Sequence, residues 1–117
     1  MNAANYEGEK NYFRQRVRDG VIPKDYKTQI DAIFARTLRD PESRKVRFKP
    51  QKPSSQWKGL VCGYTNAKNG FGGYTGEKIF AATFDSSGHL FYMKTFGEGD
   101  SDLSVEEGQI LVMAFDC

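Results

Sequence analysis

The sequence predicts an α+β fold in which one main amphipathic helix packs on an antiparallel sheet of about five strands. Apolar residues recur at helical spacing over residues 25–39, and the segments that follow are β-like and separated by turn residues. Helices followed by a run of strands are typical of the α+β class. The 117 residues, 14% of them aromatic, suffice for one hydrophobic core, so we expect a single domain over residues 21–117.

Residues 1–20 are predicted to form a loosely ordered or short-helical basic arm. Phe13 and Val17 lie four residues apart, which allows a short helix over residues 9–19 that ends at Gly20. Three arginines of this segment do not share one helical face, which weakens a nucleic-acid-binding interpretation of the arm; they are Arg14, Arg16 and Arg18.

The main helix is predicted from one apolar stripe, which comprises Tyr26, Ile30, Ile33, Phe34, Thr37 and Leu38. Pro23 and Asp25 suit its start. Asp40 precedes Pro41, which disfavours helical geometry at Asp40, so the helix is expected to end near Arg39. We expect this stripe to pack against the sheet as part of the core. The alternative is a helix that binds in the groove of a partner.

Five strands are predicted, over residues 44–50, 57–65, 79–85, 90–96 and 108–117. The first alternates basic with apolar residues, so Val46 and Phe48 face inward and the basic side suits a sheet edge. Basic residues interleaved with Phe48 could instead contact a phosphate backbone. Ser86-Ser87-Gly88 predicts a tight turn between the third and fourth strands. One face of the last predicted strand carries Leu111, Met113, Phe115 and Cys117.

A glycine-rich segment, residues 66–76, connects the second and third strands; its glycines are Gly70, Gly72, Gly73 and Gly76. It fits neither a phosphate-binding P-loop nor a dinucleotide fingerprint, because the glycine spacing differs and a strand is predicted to follow it. One interpretation is a structural hairpin loop with Phe71 and Tyr74 tucked back as anchors. The other is a contact surface for a ligand or partner, with the binding residues Asn66, Lys68, Asn69, Phe71 and Tyr74.

Two cysteines, Cys62 and Cys117, are compatible with a disulfide or with two buried thiols. With a single histidine they cannot supply the four ligands of a structural zinc site, and a chain end is a poor place for a catalytic thiol. We expect the Cys62–Cys117 disulfide, which would contribute about 2–4 kcal/mol. His89 lies at a predicted turn near Asp85 without a nucleophile, so the sequence predicts no enzyme, no cofactor and no metal site.

The net charge of +2 conceals an uneven distribution, because residues 1–58 carry +7 and residues 59–117 carry −5. The two parts can complement each other within the fold, or the basic part can steer a partner. The acidic residues 97–107 lack EF-hand spacing, so a solvated loop is expected.

No apolar run approaches about 18 residues, so no membrane span is predicted. The N-terminus lacks signal-peptide character, which fits a cytosolic protein or an exported one whose signal has been removed.

Three stretches together carry a family resemblance. They are Arg39-Asp40-Pro41-Glu42-Ser43 after the main helix, Val61-Cys62-Gly63, and the string from Asn66 to Gly76. They resemble the "DP(D/E)S", "VCG" and "NAKNxxGGYxG" signatures of a family of small uncharacterised proteobacterial exported proteins, many of them candidate lipoproteins. The match covers roughly residues 22–84. It implies a periplasmic or cell-envelope location, with the export signal missing from this sequence, and it implies no activity.

The function expected from the sequence is a non-enzymatic binding or envelope-accessory module that uses residues 66–76. Its partner would be an unidentified protein or a cell-envelope component. One alternative is an inhibitor or immunity-type protein for a secreted enzyme. Another is nucleic-acid binding through the basic N-terminal half, which predicts binding that weakens steeply with salt.

Overall fold

The computed structural model describes residues 3–52, 54–68, 71–97, 103–114 and 117. In these ranges it has three α-helices, one 3-10 turn (Pro41–Ser43) and four β-strands, which confirms the predicted α+β class. The helices are α1 (Ala3–Arg18), α2 (Tyr26–Thr37) and α3 (Val105–Ala114). The strands are β1 (Lys45–Phe48), β2 (Leu60–Asn66), β3 (Lys78–Phe84) and β4 (Leu90–Thr95).

The four strands form one antiparallel sheet in the order β1-β2-β3-β4, so strands that are consecutive in sequence are also neighbours in the sheet. The pairing of β3 with β4 shifts register beside Thr83, where Phe91 is the extra residue of a bulge. Phe91 and Tyr92 consequently both contact Phe13 of α1, at ring-centroid distances of 5.7 and 5.8 Å. The bulge thus turns two successive aromatic residues toward the same helix.

Helices cover both faces of the sheet, and each face has its own hydrophobic core. On the face covered by α1 and α3, here called the α1/α3 face, the buried residues are Phe13, Val17, Trp57, Leu60, Cys62, Ala81, Ile110 and Met113. On the opposite face, the α2 face, they are Ile30, Phe34, Val61, Phe80, Ala82 and Phe84. The alternation of side chains along β2 and β3 distributes successive residues between the two cores.

The end of α1 lies against the sheet at a contact that only glycine allows. A Cβ atom on either Gly20 or Gly59 would collide with the Phe84 carbonyl oxygen and with the facing glycine. The Gly59 N–H donates to the Val17 carbonyl at 2.9 Å, and the Phe84 N–H donates to the Gly59 carbonyl at 2.8 Å. This contact joins the first helix to the sheet through its backbone.

The predicted fifth strand over residues 108–117 is wrong, because residues 105–114 form α3 and the described sheet has four strands. Gln109, Ile110 and Met113 are the buried residues of this helix, and their spacing is helical. The sequence contains a helix-start signal that the prediction overlooked: the Glu107 N–H donates to the Ser104 hydroxyl at 3.1 Å, as in an N-terminal cap. Phe115 lies outside the described residues.

The N-terminal helix is longer than the short helix predicted for the basic arm. It comprises 16 residues, and Phe13 and Val17 are buried in the core of the α1/α3 face. The helical spacing of these two residues was visible in the sequence. Their burial depends on β4, whose bulge supplies two of the aromatic rings against which Phe13 packs.

Candidate functional site

The α1/α3 face of the sheet is not covered by a helix over β1. Val46 and Phe48 of this strand pack into the core of the α2 face. The alternate residues Lys45 and Arg47 are exposed on the other side, and β1 contributes no residue to the core of the α1/α3 face. The basic outer side that the alternation predicted for this edge strand is therefore directed toward solvent.

A cation–aromatic surface forms on this side; its residues are Lys45, Arg47, Tyr64, Lys68 and Tyr74. The Lys45 and Lys68 ammonium groups lie 4.5 and 5.6 Å from the centre of the Tyr74 ring. Arg47 is paired with Tyr64 in the β1–β2 register, and its guanidinium carbon lies 4.2 Å from the Tyr64 ring centre. Exposed cation–aromatic contacts contribute about 0.5–1 kcal/mol each, so they orient these side chains more than they stabilise the fold.

Arg47 also forms an ion pair with Glu77, with 3.0 Å between guanidinium nitrogen and carboxylate oxygen. The hydrogen bond to the Glu77 carboxylate raises the pKa of Arg47. The Arg47 side chain remains 61% exposed, so it stays accessible to a partner. Lys45 and Lys68 form no ion pair with any residue in the described part of the chain, so their charges are available for an acidic group.

Ser43 joins the 3-10 turn to the glycine-rich loop. Its hydroxyl donates to the Asp40 carbonyl at 2.8 Å and accepts a hydrogen bond from the Lys68 N–H, also at 2.8 Å. The Tyr74 hydroxyl donates to the Ser43 carbonyl at 3.2 Å. Two stretches that carry the sequence resemblance, 39–43 and 66–76, are therefore in direct contact.

The base of the glycine-rich loop is closed by its own hydrogen bonds. Lys68 and Tyr74 form an antiparallel bridge, and the Gly76 N–H donates to the Asn66 side-chain oxygen at 3.1 Å. Gly72 and Gly76 adopt positive φ values of 84° and 97°, which glycine reaches at little steric cost. These hydrogen bonds hold the loop at its base.

The two aromatic residues of the loop have different environments. Tyr74 is anchored through its hydroxyl and by the cations that flank its ring. Phe71, in contrast, is 99% exposed. Tyr74 therefore tucks back as the structural interpretation of the loop predicts, whereas Phe71 stands outward.

Four of the five predicted binding residues lie in the described part of the loop. Asn66 supports the loop base, Lys68 and Tyr74 belong to the cation–aromatic surface, and Phe71 lies at the exposed tip. Asn69 lies outside the described residues. Sequence reasoning did not connect Ser43, Lys45, Arg47 and Tyr64 with the loop. The alternation of β1 placed its basic residues on the outer side, but the cross-strand register that pairs Arg47 with Tyr64 has no local sequence signal.

The predicted disulfide between Cys62 and Cys117 is confirmed, with 6.2 Å between the two Cα atoms. Cys62 lies in the core of the α1/α3 face, and Cys117 packs against the same core. The Lys49 ammonium donates to the Cys117 carbonyl at 3.0 Å. The last residue is thereby attached to β2 covalently and to the segment after β1 by a hydrogen bond.

The Asp85 carboxylate caps the turn between β3 and β4. Its contact with His89 is to the backbone N–H and not to the imidazole. The Asp85 carboxylate accepts hydrogen bonds from the Ser87 hydroxyl at 2.6 Å and from the Ser87 and His89 backbone N–H groups at 3.0 Å. The Ser87 hydroxyl foremost, followed by the backbone N–H of His89, lowers the pKa of Asp85 from 3.8 to about 2. Across the residues that the structure describes, no group of three His, Cys, Asp or Glu side chains could hold a metal ion.

Several basic residues of the N-terminal half are engaged within the fold. The Arg16 guanidinium lies 4.0 Å from the Phe91 ring centre and 3.4 Å from the Asp85 carboxylate. Arg44 binds Asp31 through two hydrogen bonds of 2.8 and 2.9 Å, and this contact lowers the pKa of Asp31. These cations complement groups inside the protein, as the uneven charge distribution allows.

The comparisons with known proteins find no similarity that identifies the chain. No protein-family model matches it, and neither curated proteins nor solved structures show a significant match. Among the described residues, none of the helices has the length and apolar character needed to cross a bilayer. The functional interpretation therefore depends on the residues and the geometry described above.

Proposed function

We propose that this protein is a non-enzymatic binding module that presents Phe71 and the adjoining cation–aromatic surface to a protein or cell-envelope partner. The observation that carries the proposal is the 99% exposed Phe71 side chain on a loop whose base is held by hydrogen bonds to Ser43 and Asn66. Exposed aromatic residues are enriched at protein interfaces and often contribute much of the binding energy.

The chemistry of the surface supports an acidic partner segment that also carries an apolar side chain. Lys45 and Lys68 flank Tyr74 and have no acidic partner in the described part of the chain. Carboxylates of the partner would pair with these two lysines while an apolar pocket accepts Phe71. An inhibitor or immunity-type protein for a secreted enzyme is a specific form of this proposal, since a protruding Phe71 could enter an enzyme cleft.

We place the protein in the periplasm or at the cell envelope, where it would be soluble or lipid-anchored. The Cys62–Cys117 disulfide supports this location, because such bonds persist in oxidising compartments. The resemblance to exported proteins supports it independently. Intact mass measured without reductant on protein from its native host tests it. A processed or lipid-bearing N-terminus with oxidised cysteines is expected; an unprocessed chain with reduced cysteines would contradict the location.

Site-specific photocrosslinking tests the binding function. A photoreactive phenylalanine analogue at position 71 is expected to give a discrete crosslinked product in envelope fractions. The matched control places the same analogue at Tyr12, an exposed aromatic residue on α1. A product that forms from position 71 and not from position 12 assigns the contact to the loop.

Charge reversal tests the contribution of the surface. Lys45→Glu combined with Lys68→Glu should abolish the product by placing like charges against an acidic partner. With the partner identified, Phe71→Ala should weaken binding roughly 30-fold, the effect of losing a hot-spot aromatic. Equal products from positions 71 and 12, or full binding by the charge-reversed variant, would refute the proposal. Unfolding by the Phe71→Ala variant would instead assign the loop a structural role.

A further inference from the structure

A cavity of about 330 Å³ lies on the α2 face, between the C-terminal half of α2 and the sheet ends nearest the glycine-rich loop. One part of its lining is apolar and includes Ile33, Leu38 and Met93; the other part is polar and includes Thr65, Thr75 and Lys78. The volume falls at the lower end of the range of small-molecule sites. The cavity is separate from the cation–aromatic surface, which lies on the opposite face of the sheet.

Thr65 is the unusual residue of this lining. It is 4% exposed, and its hydroxyl has no hydrogen-bond partner among the described residues. Buried hydroxyl groups are nearly always hydrogen-bonded, because removal from water without a new partner is costly. Thr83, a fully buried threonine in β3, shows the ordinary arrangement, since its hydroxyl donates to the Tyr92 carbonyl at 3.1 Å. The Thr65 hydroxyl is a hydrogen-bonding group for which a bound molecule would supply the partner.

Lys78 brings a positive charge to the same place. Thr65 and Lys78 are direct cross-strand partners in the β2–β3 register, so their side chains lie on the same face as neighbours. Lys78 forms no ion pair with a residue that the structure describes, and the described residues that line the cavity include no Asp or Glu. The Thr75 hydroxyl donates to the Ala67 carbonyl at 3.3 Å. Thr65 and Lys78 are cross-strand neighbours that both offer donors, and a carboxylate is the group that accepts from both; Thr95, which carries a further hydroxyl, also lines the cavity.

We propose that this cavity binds a medium-chain carboxylate. Its carboxylate accepts hydrogen bonds from the Thr65 hydroxyl and the Lys78 ammonium, and its hydrocarbon chain lies among Ile33, Leu38 and Met93. A methylene group is close in size to a water molecule, which occupies about 30 Å³, so the cavity holds roughly ten non-hydrogen atoms, the size of octanoate. This site is independent of any partner at the cation–aromatic surface.

An NMR titration with octanoate tests the site on the full chain. The Met93 methyl resonance, assigned with a Met93→Leu variant, is expected to shift saturably with octanoate concentration. The neutral analogue 1-octanol should bind at least about tenfold more weakly, because it lacks the charge that pairs with Lys78. Thr65→Val and Lys78→Gln should each weaken octanoate binding by about tenfold.

Thr83→Val is the matched control, because it removes a buried threonine hydroxyl that does not line the cavity. It should lower the melting temperature and leave octanoate affinity unchanged. Thr65→Val should raise the melting temperature of the free protein, since it removes an unpaired buried hydroxyl. The proposal is overturned if octanoate at about 10 mM leaves Met93 unshifted, if octanol binds equally well, or if folded Thr65→Val binds octanoate like the wild type.

Discussion

The two faces of the sheet are built from alternate residues of the same strands, but they differ over β1. On the α2 face, Phe48 of this strand contacts the Phe80 and Tyr26 rings edge-on, at 5.8 and 5.7 Å. On the α1/α3 face, the neighbouring Lys45 and Arg47 lie outside the helix-covered core and are exposed. The same four-residue strand thus ends a closed core on one side and begins an open charged surface on the other.

The difference separates the side of the edge strand that stabilises the fold from the side for which we propose binding. Burial of apolar surface is the main source of stability, and the α2 face obtains it from aromatic packing that includes β1. The open side contributes mainly exposed ion pairs and cation–aromatic contacts, which are weak in water. Substitutions on that side are therefore expected to leave the fold intact, so they can test the proposed binding.

The largest effect is expected at Phe80 on the closed side. Phe80 is fully buried and contacts Phe34 and Phe48. Phe80→Ala should lower the free energy of unfolding by about 3–5 kcal/mol, because it removes a large apolar side chain and leaves a cavity. Urea denaturation monitored by circular dichroism measures the loss.

Ile79 is the matched control for this prediction, since it neighbours Phe80 in β3 and points to the opposite face. It is 44% exposed, so Ile79→Ala should cost about 1 kcal/mol or less. Comparable losses for Ile79→Ala and Phe80→Ala would contradict the distinction between an open and a closed side.

The disulfide is expected to have the second-largest effect. It attaches the chain end to β2 in the helix-covered core of the α1/α3 face. Replacing both cysteines by alanine should lower the free energy of unfolding by about 2–4 kcal/mol, because the unfolded chain regains the freedom that the cross-link removed. Denaturation of the wild type with and without reductant provides the comparison. If reduction leaves the wild-type midpoint unchanged, the cross-link does not stabilise the fold.

The smallest effect is a pH dependence at the β3–β4 turn. The pKa of Asp85 is lowered from 3.8 to about 2 in the folded protein, chiefly by the Ser87 hydroxyl. Its ionised form is favoured by folding, so the stabilisation is complete above the unfolded pKa and is lost as pH falls from about 4 toward 2. The difference in unfolding free energy between wild type and Asp85→Asn should shrink over that interval.

Ser87→Ala sharpens this test, because it removes the largest contribution to the lowered pKa of Asp85. The acid-induced loss of stability in that variant should be smaller than in the wild type and should end at a higher pH, because the folded pKa of Asp85 lies closer to the unfolded one. A constant difference between wild type and Asp85→Asn from pH 6 to pH 2 would show that the carboxylate charge does not stabilise the turn.

Local patterns were enough to predict α2, the alternation of β1 and the β3–β4 turn, because each depends on residues close together in sequence. The same patterns were insufficient for residues 105–114. A short apolar run is compatible with either a strand or a helix, and the capping signal at Ser104 is what distinguishes the two. The glycine-rich loop was recognised as unusual. Its division into an anchored Tyr74 and an exposed Phe71 depends on Ser43, which lies 31 residues from Tyr74 in the sequence.

By itself, the sequence determined the α+β class, the main helix and four strands, since composition and local periodicity limit what each segment can form. It allowed a disulfide or two buried thiols, and the tertiary structure brings the two cysteines together. The tertiary structure alone decided which residues meet across strands. The register that places Arg47 beside Tyr64 and Thr65 beside Lys78 is set by packing over the whole sheet. The cation–aromatic surface and the cavity both arise from that register, so neither has a contiguous motif in the sequence.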